Sequence, residues 1–262
     1  MKKVSIFLAT DDNYAKYASV VIKSACAKTS RPLYFGVITK GLSDENKGKL
    51  RECAGENEIE FFAIDINKFN GFKVDLYLKY ITIETCFRYL IPELRPDLDK
   101  VLYLDCDVVC MDDLAKIFDA DISGVYAGVV PESKRGAYWC AGVILLNCEK
   151  CRRDNIVERL FERTKRLNGV SKFLDQDALN DVFGDRVKAL DFRWQIMPSY
   201  FNVKSGLSDA ELDDVVLNAG IAHLCANDKP WDVPRGIVSN PFAQVFFHYL
   251  RRTPYADEEA RI

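Results

Sequence analysis

Short runs of branched and aromatic residues recur along the chain, and most are followed by a stretch with helical spacing. VSIFLA (4–9), LYFGVIT (33–39) and IEFFAID (59–65) hold few polar positions, the pattern of strands buried on both faces. Helical patterns near 14–28 and 43–54 separate them. Such alternation predicts an α/β sheet with parallel strands and crossover helices. The pattern then pauses. Residues 66–80 read as irregular, and a helix near 82–92 carries Arg88 ahead of Pro92. VLYL (101–104) is the most strand-like run of the middle, and it ends in Asp105–Cys106–Asp107. Another apolar pair follows, then DDLAKIF, a short helix whose acidic first turn suits the helix dipole. GVYAGVV (124–130) and AGVILLN (141–147) predict later strands, and helices are expected over 149–167 and 176–184. From 190 on the chain reads as more irregular. No repeat or interdomain linker interrupts it, so a single domain over 1–240 with a terminal helix or tail at 241–262 is the simplest organisation.

Composition narrows the function classes. The chain has 262 residues, 48% hydrophobic and 29% charged, enough apolar mass for a core and incompatible with disorder or a coiled coil. A net charge of −3 leaves no broad cationic face, so no nucleic-acid partner is expected. The opening MKKVSIFLAT is too short in its apolar run for a secretion signal and meets Asp11–Asp12 without a small-residue cleavage pattern. No window reaches the ~18–20 apolar residues of a membrane span. The tail PFAQVFFHYLRR admits at most a peripheral membrane contact, and a helix packed on its own domain is the simpler reading. Nine cysteines cannot all pair. Cys148 and Cys151 stand at i, i+3, but no second pair has zinc-ribbon spacing. Reduced thiols packed as small hydrophobes in a cytoplasmic protein account for them. With only two histidines, any imidazole-dependent site must use His223 or His248.

The acidic triplet is the first chemical signal. Ligand sites in open α/β sheets form beyond the carboxyl ends of strands. Residues i and i+2 of extended backbone point to one side, so Asp105 and Asp107 would aim two carboxylates at one point. A divalent cation shared with phosphate oxygens relieves that repulsion. Two solvated loop aspartates would look the same on the motif alone. A phosphohydrolase with an aspartate nucleophile also begins with such a triplet. That class carries it in the first strand with Thr two residues on, and here that position is Val109.

Five segments follow one another: ATDDNYAKYASVVIKS, TIETCFRYLIPELRPDLDKVLYLDCDVVCMDDL, WCAGVILLN, LDQDALN and IAHLCANDKPW. In that order, over about residues 3–235, the chain resembles glycosyltransferase family 8. These are retaining enzymes of GT-A fold that include bacterial lipooligosaccharide galactosyl- and glucosyltransferases and, more distantly, glycogenin. The resemblance implies one Rossmann-like domain with a mixed, mainly parallel sheet flanked by helices.

It also implies site roles. Ala9 and Thr10 would offer backbone contacts to uracil, and Asp11 and Asn13 would bind base and ribose. Without the resemblance, Asp12 or Asn13 reads as the cap of the next helix. Arg88 would lie near the donor sugar and Asp105; alone it reads as a surface arginine with a packed stem. Asp105, Asp107 and His223 would hold a metal, and the imidazole tilts the preference to manganese over magnesium. By itself, His223 beside GIA would more often be a packed core residue. Cys106 would present its backbone to the nucleotide, Lys229 would meet the diphosphate, and Trp231 would pack that loop. Asp175 would bind sugar hydroxyls, although its place also suits a helix cap. Gln176 would face the anomeric carbon opposite the leaving group as nucleophile, stabiliser or orienter. An amide is a poor nucleophile, which favours an oxocarbenium-like path with acceptor attack on the leaving-group face. His248 matches no motif.

Three departures bear on selectivity. Cys140 stands where the family has Asn before Ala141, and Ala226 stands where it has Gly. Pro131, with Glu132 next to it, stands where an acidic acceptor-side residue is expected. The implied activity is metal-dependent retaining transfer of a hexose from UDP-glucose or UDP-galactose to a glycan acceptor. The implied setting is bacterial surface-glycan or lipopolysaccharide assembly, in the cytoplasm or at the inner face of the membrane. The alternatives are a sugar-nucleotide-binding protein impaired in transfer and a self-glucosylating, glycogenin-like primer.

Overall fold

A computed structural model describes residues 2–73, 82–134, 136–201, 206–225, 229–232 and 242–257. The amino-terminal half follows the predicted alternation: β1 (Val4–Ala9), α1 (Ala15–Lys28), β2 (Leu33–Thr39), α2 (Asp44–Ala54) and β3 (Glu58–Ala63). Ser43 caps α2 by accepting from the Asn46 amide at 3.2 Å. Within the segment read as irregular, Ile66–Phe69 forms a 3-10 turn, and residues 74–80 lie outside the described residues. The helix expected over 82–92 is a 3-10 helix at Ile83–Leu90 that passes into α3 (Ile91–Leu94). Pro92 sits in the first turn of α3, where its missing N–H is no loss, so it starts a helix instead of ending one.

Then come β4 (Lys100–Leu104), β5 (Val108–Cys110), α4 (Ala115–Phe118), β6 (Ala127–Pro131) and β7 (Trp139–Asn147). β6 starts later than the pattern suggested because Ser123 and Gly124 form a turn. The helix expected over 149–167 is broken into α5 (Cys148–Arg153) and α6 (Ile156–Leu167). Asn155 takes the left-handed conformation at φ 51°, which asparagine tolerates better than most residues. α7 (Asp175–Phe183), β8 (Val187–Ala189), α8 (Asp209–Leu217), β9 (Ile221–His223) and α9 (Ala243–Leu250) complete the chain. From 190 on the described residues hold two short helices and one three-residue strand among loops and 3-10 turns, in keeping with the more irregular pattern. A capping box between Ser208 and Glu211 announces α8.

The main sheet runs β3-β2-β1-β4-β7-β6-β8. Its first four strands are parallel, and β7 runs antiparallel to both β4 and β6. One face packs on α1, α2, α4 and α9, the other on the 3-10 helix and α5–α7. β5 and β9 form a separate antiparallel pair. α9 packs on α1 through Phe246, which is fully buried, and Trp231 lies between it and Tyr17, stacked on the Tyr17 ring at 3.9 Å. No described helix is long and apolar enough to cross a membrane.

Gly36 pairs with Phe7 across β1 and β2, and a Cβ there would lie 2.4–2.6 Å from the Phe7 ring. Gly36→Ala is therefore expected to destabilise the fold by about 1–3 kcal/mol in chemical denaturation. An unchanged midpoint would mean that the ring relaxes freely.

Candidate active site

β1 and β4 end on one edge of the sheet, and the reversal of β7 brings its first residues to the same edge. A cavity of about 450 Å³ opens there. It collects Ala9, Thr10, Asp11 and Asn13 from the end of β1, and Arg88 from the 3-10 helix. Asp105, Cys106 and Asp107 enter from the end of β4, and Cys140 and Ala141 from β7. Asp175 and Gln176 open α7, and His223 and Lys229 come from β9 and beyond. Of the residues singled out in the sequence, only Ala226 lies outside the described residues.

The β5–β9 pair brings together two parts of the chain far apart in sequence. Val108 is in register with His223, and the Leu224 amide donates to the Asp107 carbonyl at 2.8 Å. His223 Nε2 consequently lies 3.1 Å from Asp107 Oδ1 and 3.8 Å from Asp105 Oδ2. Each of these three side chains offers a ligand atom within 4.8 Å of the others. Two carboxylates and an imidazole are a fitting donor set for a divalent cation. Gly142 makes room for the ring, since a Cβ there would lie 2.2 Å from His223 Cε1. Lys229 Nζ reaches Asp107 Oδ2 and donates to the Leu224 carbonyl at 3.0 Å. Burial would raise the Asp107 carboxyl, but Lys229 and His223 outweigh it and hold the group far below the usual range. Burial opposes charge on His223, and Cys225, Asp107 and Cys140 override it, raising its affinity for a proton.

Arg88 ties the rest of the acidic edge. Its Nη2 lies 3.0 Å from Asp105 Oδ1 and 3.4 Å from Asp175 Oδ2. Nε donates to the Thr85 carbonyl at 2.6 Å, Nη1 to the Ala141 carbonyl, and the guanidinium covers the Tyr103 ring at 4.5 Å. Arg88 is buried, not on the surface. Burial works against its charge, but Asp105, Tyr103 and Asp175 keep it protonated. Asp175 is the first residue of α7 and not its cap: Leu174, at a positive φ of 21°, precedes it and turns the carboxylate inward. Burial pushes the Asp175 carboxyl up against the pull of Arg88.

Gln176 is fully engaged. Its Oε1 accepts from the Ala141 amide at 2.9 Å, and its Nε2 donates to Glu132 Oε1 at 3.2 Å and to the Tyr138 hydroxyl at 3.0 Å. Glu132, next to Pro131, lines the cavity. Burial raises its carboxyl. Cys140 Sγ sits 3.7 Å from His223 Nδ1. Cys106 turns its thiol away, donating to the Ala9 carbonyl at 3.1 Å. At the start of α1, Asp11 Oδ1, and not Asp12 or Asn13, accepts from the Tyr14 amide at 3.0 Å. Asp12 Oδ1 instead accepts from Ser43 at the foot of α2 at 2.9 Å. His248 is exposed, with its ring against Tyr249.

Phe173, Met197 and Ser199 also line the cavity and lie in none of the five segments, while Thr82, Glu84, Thr85, Tyr103 and Cys225 lie within them without having been singled out. Glu84 pairs with Lys40 at 2.6 Å. Only the folded chain brings them to the edge.

Removing Arg88 would leave the buried Asp175 and the partly exposed Asp105 without their shared counter-ion. Arg88→Ala is expected to destabilise the fold by about 3–5 kcal/mol. A loss below ~1 kcal/mol in urea unfolding would show that the ion pair has little part in stability.

Residues 5–233 match the model of glycosyl transferase family 8. General stress protein A of Bacillus subtilis is 26% identical over 95% of this chain and 94% of its own length. The lipopolysaccharide 1,3-galactosyltransferase of Salmonella typhimurium is 25% identical over 97% of this chain and 80% of its own. The crystal structure of the galactosyltransferase LgtC with donor and acceptor sugar analogues superposes with a TM-score of 0.82. It is 28% identical and covers 98% of this chain and 99% of its own. With the family model matching nearly the whole chain, this protein belongs to glycosyl transferase family 8 and is a glycosyltransferase.

Proposed function

We propose that the chain moves a hexosyl group from UDP-glucose or UDP-galactose to a glycan acceptor, with retention at the anomeric carbon, in assembly of a bacterial surface polysaccharide or lipopolysaccharide. The observation that carries this reading is one cavity holding the Asp105–Asp107–His223 cluster, Lys229 and the Asp175–Gln176 pair. The names of the Salmonella and LgtC galactosyltransferases support the hexose and the glycan acceptor. Nine free thiols suit a reducing cytoplasm, with at most peripheral contact at the inner face of the membrane.

Asp105, Asp107 and His223 would hold the cation, manganese by preference because of the imidazole, with magnesium as the alternative. When bound, that ion supplies positive charge to the diphosphate leaving group. Lys229 adds a second donor on the same side. Ala9, Thr10, Asp11 and Asn13 would take uracil and ribose at the end of β1. Arg88 lies between Asp105 and Asp175 and bridges them, which would leave Asp175 oriented toward sugar hydroxyls. Gln176, pinned by Ala141, Glu132 and Tyr138, acts as an orienter and dipolar neighbour of the anomeric carbon. Glu132 lies beside it for an acceptor hydroxyl. The departing phosphate oxygen takes the acceptor proton.

Incubation with manganese and a panel of UDP-sugars, with and without glycan acceptors, should release UDP from UDP-glucose or UDP-galactose. Tight UDP binding without turnover would instead identify a binding protein, and hexoses added to the chain itself, seen by mass spectrometry, a self-glucosylating primer. Asp107→Ala should abolish manganese-dependent UDP binding in calorimetry, and persistence of that dependence would sink the cation clamp. Because ligation needs an unprotonated Nε2 and His223 holds its proton strongly, manganese affinity should rise with pH. A pH-independent affinity would argue against His223 as a ligand.

A further inference from the structure

Gln195 has no place in the family segments, yet it is fully buried against His223. It follows the 3-10 turn Phe192–Trp194, and two backbone bonds stitch the next residue to β9. Ile196 N donates to the Ile221 carbonyl at 2.9 Å, and His223 N donates to the Ile196 carbonyl at 2.8 Å. The carboxamide thereby lies at the back of the imidazole, with Nε2 2.9 Å from His223 Nδ1. Its Oε1 is buried without a hydrogen-bond partner among the described residues. Cys140 Sγ also approaches Nδ1, at 3.7 Å, but a thiol is a weak acceptor.

An imidazole that ligates through Nε2 keeps its one proton on Nδ1 and needs an acceptor there. The orientation seen, with Nε2 toward the ring, suits only an Nδ1 without a proton. A half-turn about the terminal torsion, which is broad for a carboxamide, presents the unpartnered Oε1 to Nδ1–H. We propose that Gln195 is a positioning residue for the cation site: its side-chain carbonyl accepts the Nδ1 proton of His223 and so fixes the tautomer and ring angle that aim Nε2 between Asp105 and Asp107. This rests on reading Asp105, Asp107 and His223 as a cation site.

The test is manganese binding to the full chain in the presence of UDP, read from the signal of free manganese in electron paramagnetic resonance. Gln195→Leu, which cannot accept, should weaken manganese binding by about 10- to 100-fold. Gln195→Glu, which offers only acceptors to the ring, should bind manganese at least as tightly as the wild type. UDP affinity without metal should be the same in all three proteins. An unchanged manganese affinity in Gln195→Leu overturns the proposal, as does an equal loss in Gln195→Glu. If Gln195→Leu fails to fold, the Gln195→Glu result decides alone, weaker binding overturning the role. A wild type that binds no manganese would overturn the cation reading itself, and this role with it.

Discussion

Three carboxylates converge on one edge of the sheet, Asp175 buried and Asp105 and Asp107 partly exposed to the cavity. Like charges brought that close in a partly desolvated place repel strongly, and the surroundings divide the task of holding them. Arg88 sits between Asp105 and Asp175, while Lys229 and His223 take Asp107. Each of these partners is itself buried, so none is free to turn to bulk water. The resulting edge has opposite charges in contact and one side open to the cavity. A diphosphate and a divalent cation entering together would alter the charge balance little, because each neutralises part of the other.

Two features of topology make that meeting possible. The reversal of β7 carries Cys140, Ala141 and Gly142 to the edge where the parallel strands end. The small β5–β9 pair carries His223 to the last residue of the acidic triplet, more than a hundred positions away in sequence. Both rest on close backbone approach. Gly142 has no side chain where the imidazole lies, and its carbonyl accepts from the Asp105 amide at 2.8 Å.

Much of this edge is legible in the sequence. β1 and β2 are buried strands with nearly continuous apolar runs and follow from periodicity, whereas the run at 59–65, read as buried on both faces, forms the edge strand β3 with half its residues exposed. The acidic triplet announces itself because it closes such a run. The breaks are less legible, since they depend on single residues. Asn155 splits one helix by accepting a left-handed backbone, and Pro92 opens a helix where a stop is the usual reading. The least legible part is what surrounds the site. Glu132 and Gln195 sit on irregular backbone, and only strand pairing elsewhere sets them beside Gln176 and His223.

The hydrogen bonds of Gln176 explain why an amide, and not a carboxylate, can occupy the first turn of α7 at the cavity. Its oxygen takes the Ala141 amide, and its NH₂ serves Glu132 and the Tyr138 hydroxyl at once. The Tyr138 hydroxyl donates a hydrogen bond to Asp177, which also accepts from Ser171. A carboxylate at 176 could keep the bond to Ala141 but would face Glu132 with like charge, and among the described residues no further cation lines that side of the cavity. The neutral amide sits beside two acidic residues, Glu132 directly and Asp177 through Tyr138, while Arg88, Lys229 and His223 stay at Asp105, Asp107 and Asp175. Charge is thus segregated across the cavity: Arg88, Lys229 and His223 gather with Asp105, Asp107 and Asp175, and Glu132 lies with the neutral Gln176 and Tyr138, the side to which the proposed transfer would bring acceptor hydroxyls.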